Sequence, residues 1–254
     1  MPARRLLAVS TVSGALLLSA FTSQPALGQQ TDGANPSPTV GGAVTVTNNG
    51  ISLLPTFTLG DPAALFDLSV RGLRLSFEPQ FKFALEGRPR AFIFWWRYGL
   101  LGTERFSVRV GAHPALAFKM MPRSTAGGAD TMMVERYVAA EVAPSYSLRD
   151  GVSVGAYCLY GHGLERGAVR TTHFVTVNAS FTDLGLTERV FLKLAPQIYY
   201  LRMDDTGGYC VTATMSLHSR DLPVSVQSIV NQAITPDIVT DDDFVWNVSL
   251  VYSF

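Results

Sequence analysis

The residue pattern that comes nearest to a catalytic motif is Gly151-Val152-Ser153-Val154-Gly155, which matches GxSxG. In hydrolases this motif places a serine nucleophile at a sharp turn between a strand and a helix. Here the match begins at a turn and continues into an alternating, strand-like run. Ser153 is therefore predicted to be an ordinary strand residue that faces inward.

Metal-binding and redox-active residues are sparse. Cys158 and Cys210 are the only cysteines, and the chain contains no CxxC or HExxH. They fall on opposite faces of non-adjacent predicted strands, so we expect two free thiols. The acidic run Asp241–Asp243 could bind a divalent cation weakly, although a solvated loop is the simpler interpretation. We expect no structural metal and no cofactor.

The elements that position these residues begin after an export signal. Arg4 and Arg5 precede an apolar run from 6 to 21, and Ala26-Leu27-Gly28 supplies the small residues of a cleavage site. That order predicts a secretory signal peptide over 1–28. The polar segment 29–42 is rich in Pro and Gly and is predicted to be flexible. One domain is predicted over 43–254.

Composition narrows the class of this domain. The chain is 47% hydrophobic with a formal net charge of zero, so no basic excess indicates nucleic acid as a partner. Charged or turn-forming residues interrupt every apolar stretch after the leader, which argues against a transmembrane helix. Alternating strands in a membrane explain this combination, because only every second residue then contacts lipid.

Regular punctuation by Gly, Asp, Pro and Asn divides the domain into about twelve strands, with ten possible. Tight and longer connections alternate, and an even strand number would place both termini on the periplasmic side. The predicted strands are 51–59, 64–71, 73–86, 89–101, 104–121, 132–149, 152–164, 171–184, 188–203, 208–219, 223–235 and 243–254.

The last strand, FVWNVSLVYSF, carries the sharpest pattern. Phe244, Trp246, Val248, Leu250, Tyr252 and Phe254 share one face, with aromatic residues at both ends. This segment closely resembles the terminal strand of bacterial outer-membrane β-barrel proteins, which end in an aromatic residue. The resemblance implies an all-β, antiparallel, up-and-down transmembrane barrel in the bacterial outer membrane. It also implies that lipids and the barrel-assembly machinery are partners, the latter through the strand ending at Phe254.

Alternation assigns the inward face of each strand. The predicted lumen-lining residues carry both signs of charge: Arg97, Arg109, His113, Lys119, Glu135, Glu141 and Lys193. Strands 104–121 and 132–149 form one hairpin, in which Lys119 should lie near Glu135 and Arg109 near Glu141 or Ser145. Arg136 departs from the pattern by facing outward near an external loop, where it could reach lipid headgroups. The inward charges indicate either a structural network or a constriction that selects solutes.

Two functions of different classes follow. One is a narrow porin-like channel for small solutes, and the other is a plugged, non-conducting structural or surface-interaction barrel. A hydrolase at the barrel rim is a third possibility, because outer-membrane phospholipases and proteases use His with Ser or Asp there. His162 and His173 flank the loop with Glu165, but the neighbouring motifs of those enzymes are missing. We therefore predict that the chain is not an enzyme.

Overall fold

The computed structural model describes residues 37–50, 61–121, 131–235 and 243–254. The strands in these ranges are β1 (Thr39–Thr47), β2 (Ala63–Arg71), β3 (Leu75–Ala84), β4 (Pro89–Gly102), β5 (Phe106–Met121), β6 (Thr131–Arg149), β7 (Val152–Gly163), β8 (Thr171–Gly185), β9 (Val190–Met203), β10 (Thr206–Ser219), β11 (Val224–Ala233) and β12 (Phe244–Ser253). Each strand pairs with its sequence neighbours, and β1 pairs with β12, so the sheet is a closed barrel. The all-β, twelve-stranded, up-and-down architecture predicted from the sequence is confirmed.

The strands run antiparallel throughout, so the connections lie at two ends of the barrel. At the terminal end, where β1 begins and β12 finishes, the strands are joined by turns of two to four residues. The loop end carries the longer connections 48–62, 122–130, 164–170 and 234–243. Both ends of the barrel chain therefore emerge at the same side, as an even number of strands requires.

The first strand is the main departure from the sequence prediction. β1 begins at Thr39, inside the segment 29–42 that we expected to be flexible, and the barrel therefore starts four residues before the predicted boundary at 43. The predicted strand 51–59 lies outside the described residues, as does the predicted signal peptide.

Gly42 explains why this strand is hard to recognise. A Cβ at Gly42 would lie 2.7 Å from the Asp67 carbonyl oxygen and 2.8 Å from the Phe254 ring. Gly42 also exchanges two backbone hydrogen bonds with Phe254, at 2.9 and 3.0 Å. The glycine that weakens the strand pattern is thus needed where the chain ends meet.

The outer surface of the barrel is apolar. On β12 the outward residues Phe244, Trp246, Val248, Leu250 and Tyr252 are 45–55% exposed, while Val245, Asn247 and Ser249 between them are buried. A continuous exposed apolar wall of this kind is unfavourable in water and favourable in lipid. No helix in the described ranges is long and apolar enough to span a membrane.

Aromatic side chains fill part of the interior. Trp95, Tyr137, Phe174 and Tyr199 are at most 1% exposed and belong to one buried cluster that runs along β4–β10. Ala168, from the loop 164–170, joins the same cluster. One side of the barrel is therefore packed like a protein core.

Candidate functional site

The inward charges form a network centred on Arg97 of β4. Its guanidinium donates from Nε to Glu141 Oε1 at 2.7 Å, and from Nη1 to Glu78 on β3. It also lies 4.1 Å above the centroid of the Trp95 ring. Arg97 is 7% exposed, so this cation is withdrawn from solvent and neutralised by carboxylates on both sides.

Glu141 of β6 collects donors from three other strands. Besides Arg97, the Tyr157 hydroxyl donates to its Oε2 at 2.6 Å, and Arg109 Nε lies 3.8 Å from its Oε1. The Glu141 side chain is 0% exposed. The predicted proximity of Arg109 and Glu141 is present, but the shorter contact goes to Arg97, which lies two strands away from Glu141.

Gly111 of β5 makes that long-range pair possible. In register, Arg97 lies opposite Gly111, and Gly111 lies opposite Glu141. A Cβ at Gly111 would approach Glu141 Oε1 to 2.9 Å and Arg97 Cγ to 3.0 Å. The missing side chain lets the ion pair pass over β5. Tyr157 and Gly111 belong to the site, although sequence reasoning did not select them.

A second cluster lies nearer the loop end of the β5–β6 hairpin. Lys119 Nζ donates to Glu135 Oε1 at 2.8 Å, and the Tyr137 hydroxyl donates to Glu135 Oε2 at 2.5 Å. The pairing of Lys119 with Glu135 agrees with the register expected from the sequence. Within the described residues, Glu135 is thus fully engaged by its neighbours on the same hairpin.

The remaining predicted lumen residues, His113 and Lys193, lie apart from the Arg97 network. His113 is 3% exposed and packs edge-on against Trp95, with 4.1 Å between ring centroids. Neither of its ring nitrogens has a hydrogen-bond partner among the described residues. Lys193 faces inward towards the terminal end, with Nζ 5.8 Å from the centroid of the Phe191 ring.

A cavity of about 310 Å³ lies between two different walls of the lumen. The wall formed by β2–β5 is charged and contributes Asp67, Arg71, Glu78, Lys82, Arg97 and Arg109. The facing wall, formed largely by β1, β11 and β12, is neutral and contributes Thr45, Thr47, Gln227, Asn247, Ser249 and Ser253. The cavity lining is therefore mainly polar, and it meets the aromatic cluster at Tyr157 and Phe174.

Comparison with solved structures places this architecture among known barrels. The chain is similar to a KdgM porin in complex with disordered oligogalacturonate, with TM-score 0.54, 12% identity, and coverage of 85% of this chain and 98% of that chain. A second KdgM porin structure gives TM-score 0.54 and 12% identity over 84% of this chain and 99% of that one. The fold is that of bacterial outer-membrane β-barrels. The NanC porin is also similar, with TM-score 0.49 and 9% identity over 85% of this chain and 98% of that one. No family model matches the sequence, and neither does any curated protein.

Among the residues that the structure describes, the rim residues considered from the sequence do not lie together as a catalytic group. His162 and His173 point outward, and Ser153 lies within β7. Asp204 accepts hydrogen bonds from the backbone N–H groups of Arg170 and Thr171, at 3.2 and 2.8 Å.

Among the described residues, the Glu165 carboxylate and the thiols of Cys158 and Cys210 likewise do not belong to a catalytic group. Glu165 accepts a hydrogen bond from Arg136, which lowers the pKa of its carboxyl and keeps the pair ionised at neutral pH. Cys158 and Cys210 are free, as expected. Asp241 and Asp242 lie outside the described residues.

Proposed function

We propose that the chain is an outer-membrane, porin-like barrel that conducts small hydrophilic solutes through a narrow lumen and performs no chemistry on them. The observation that carries this proposal is the polar cavity of about 310 Å³ inside a closed twelve-stranded barrel. That volume is at the small end of the range for ligand pockets, roughly 300–1,000 Å³. The expected solutes are therefore small.

The location in the outer membrane is part of the proposal. It is supported by the apolar outer wall and by the predicted signal peptide over 1–28. The barrel-assembly machinery would recognise the last strand, whose terminal Phe254 is exposed and pairs with β1. After export, removal of the leader would leave the barrel beginning near Thr39.

The two walls of the cavity suggest a route for the solute. Small neutral side chains on β1 and β12 leave room for the cavity. On the charged wall, Arg71, Glu78 and Arg97 are held in place by ion pairs with one another. A permeating ion would therefore pass Arg109 and Lys82, whose charges are not consumed by a close ion pair. This arrangement predicts small conductance with weak charge selectivity.

A plugged barrel is the alternative, and the aromatic cluster favours it. Trp95, Tyr137 and Tyr199 occupy one side of the lumen, and Ala168 of the loop 164–170 packs onto them. If these side chains close the barrel completely, the cavity is a blind pocket. The protein would then serve a structural or surface-interaction role.

Planar-bilayer recordings on the purified protein distinguish the two functions. We expect small conductance steps, and replacing Arg109 and Lys82 together with Ser should enlarge them or shift the ion preference, because both residues line the cavity. A barrel that is silent before and after both replacements would refute the channel. Large, porin-sized steps in the unmodified protein would refute the crowded interior instead.

A matched pair of tryptophan substitutions tests the route itself. Ser249 is 3% exposed and lines the cavity, while its neighbour Val248 is 45% exposed on the outer wall. Ser249→Trp should reduce the conductance steps because the indole fills the open side. Val248→Trp should leave them unchanged, and equal effects of the two variants would show that ions take another path.

A further inference from the structure

Four basic side chains form a row on the outer wall near the loop end. Arg136, His162, His173 and Arg202 stand on the neighbouring strands β6, β7, β8 and β9. His173 lies directly opposite Arg202. His162 lies opposite Val138 and Thr171, which are two residues along their strands from Arg136 and His173. Between Arg136 and Arg202 the row crosses three strand spacings and shifts by four residues along the strands, so its ends lie about 20 Å apart at ~4.8 Å per strand and ~3.4 Å per residue.

The arginines of this row have unused hydrogen-bonding capacity. Arg136 donates from Nε to Glu165 at 2.5 Å, and Arg202 donates from Nε to the Asp204 carbonyl oxygen at 3.0 Å. Within the described ranges, the terminal NH₂ groups of both arginines have no hydrogen-bond partner. The Arg136 side chain is 61% exposed. Both guanidinium groups are thus positioned by one contact and open to another ligand.

The level of the row matches that of lipid headgroups. Tyr160, Tyr200 and Tyr209 lie beside it on the outer wall, with 5.2 Å between the Tyr160 and His173 rings. Tyrosines in this position mark the interface between hydrocarbon and water. On β4 and β5 the outward residues towards the loop end include Phe92 and Phe118.

One further basic residue, Arg90, faces outward near the loop end, but it is already paired. Its Nη2 donates to the Asp61 carboxylate at 3.0 Å. Arg90 stands on β4, away from the row, and serves as a natural control for it.

We propose that the row on β6–β9 binds the phosphate groups of an anionic lipid in the membrane leaflet at the loop end. Arginine donates two parallel hydrogen bonds to a phosphate, and these charge-assisted bonds are strong at a partly desolvated interface. The row has one guanidinium group at each end, Arg136 and Arg202, and two separate donors of this kind suit a headgroup that carries two phosphates. This inference uses the proposed membrane location but is independent of whether the lumen conducts.

The surrounding charges favour an anion. The loop 164–170 adds Arg166 and Arg170, so this part of the rim carries four arginines and three carboxylates, those of Glu165, Asp204 and Asp205. The Asp204 carboxylate is satisfied by backbone N–H groups rather than by an arginine. A positive excess therefore remains for a bound phosphate.

Native mass spectrometry of the full-length barrel in detergent tests the proposal, with diphosphorylated lipid A, monophosphorylated lipid A and inorganic phosphate as probes. We expect saturable binding of the diphosphorylated lipid, weaker binding of the monophosphorylated lipid, and none of inorganic phosphate at equal concentration. Arg136→Gln with Arg202→Gln should weaken lipid binding at least tenfold. Arg90→Gln should change it less than twofold.

Glu165→Gln gives a prediction of opposite sign. Because this substitution removes the competing carboxylate beside Arg136, it should tighten lipid binding, which a damaged barrel would not do. Heat-modifiable gel migration verifies that each variant is folded. If the double variant does not assemble, Arg202→Gln alone replaces it, and we expect that single substitution to weaken lipid binding about threefold. Unchanged lipid binding in the arginine variants, or equal binding of inorganic phosphate, would overturn the proposal.

Discussion

Replacing Glu141 with Gln should destabilise the barrel strongly, although the side chain keeps its size. Glu141 is fully buried and is the shared acceptor for Arg97 and Tyr157, with Arg109 close by. The substitution removes the negative charge that lies close to both Arg97 and Arg109 on the neighbouring strands β4 and β5. The perturbation is therefore electrostatic rather than steric.

The expected magnitude follows from the burial of the pair. Removing one partner of a buried ion pair costs about 3–5 kcal/mol, because the other charge remains desolvated. We expect about 3 kcal/mol, the lower end of that range, since Arg97 keeps its contact with Glu78. Replacing Arg97 with Met and Glu141 with Leu together should cost less than Glu141→Gln alone, because the most buried cation is removed with its partner and Glu78 keeps Arg71 at 3.5 Å.

Urea unfolding of the protein in phosphatidylcholine vesicles, followed by tryptophan fluorescence, measures these free energies. Asp183→Asn is the control, because the Asp183–Arg220 pair is about half exposed and should contribute roughly 0–1 kcal/mol. If Glu141→Gln costs less than about 1 kcal/mol, or no more than the control, the Arg97 network does not stabilise the barrel and our reasoning fails.

Three further predictions concern the wall and the closure of the barrel. Gly111→Leu should separate Arg97 from Glu141 and weaken the barrel in the same unfolding assay, whereas a stability equal to wild type would show that the pair does not need the gap. Arg at Val248 should cost roughly 2–4 kcal/mol because it faces mid-membrane lipid, and Arg at the cavity-facing Ser249 should cost less; equal costs would contradict the face assignment. Deleting Phe254 should reduce the fraction of folded barrel on unboiled gels, since its backbone bonds with Gly42 close the sheet, and unaltered assembly would argue against that role.

The structure also changes which residue serves best as a lumen-facing control on β12. Sequence alternation treats Asn247 and Ser249 as equivalent inward positions. Asn247, however, accepts a hydrogen bond from the Ile229 backbone N–H and donates to Thr47 Oγ1. Substitution there would break a buried network, so Ser249 is the cleaner choice.

The sequence by itself determined most of the barrel wall. A period of two assigns the inward and outward faces, because successive side chains of a strand point to opposite faces of the sheet. A hairpin relates its two strands by a nearly constant residue sum, which is why the proximity of Lys119 and Glu135 follows from their positions in the chain. These are local rules, and they hold wherever the strands are long and regular.

Only the tertiary structure decided what fills and closes the lumen. The Arg97–Glu141 pair spans two strand spacings over Gly111, and β1 meets β12 through a glycine that sequence patterns assign to a flexible segment. The division of the interior into an aromatic cluster and a polar cavity depends on which strands face each other across the barrel. Such contacts follow from closure of the sheet, which brings together residues that no short-range pattern relates.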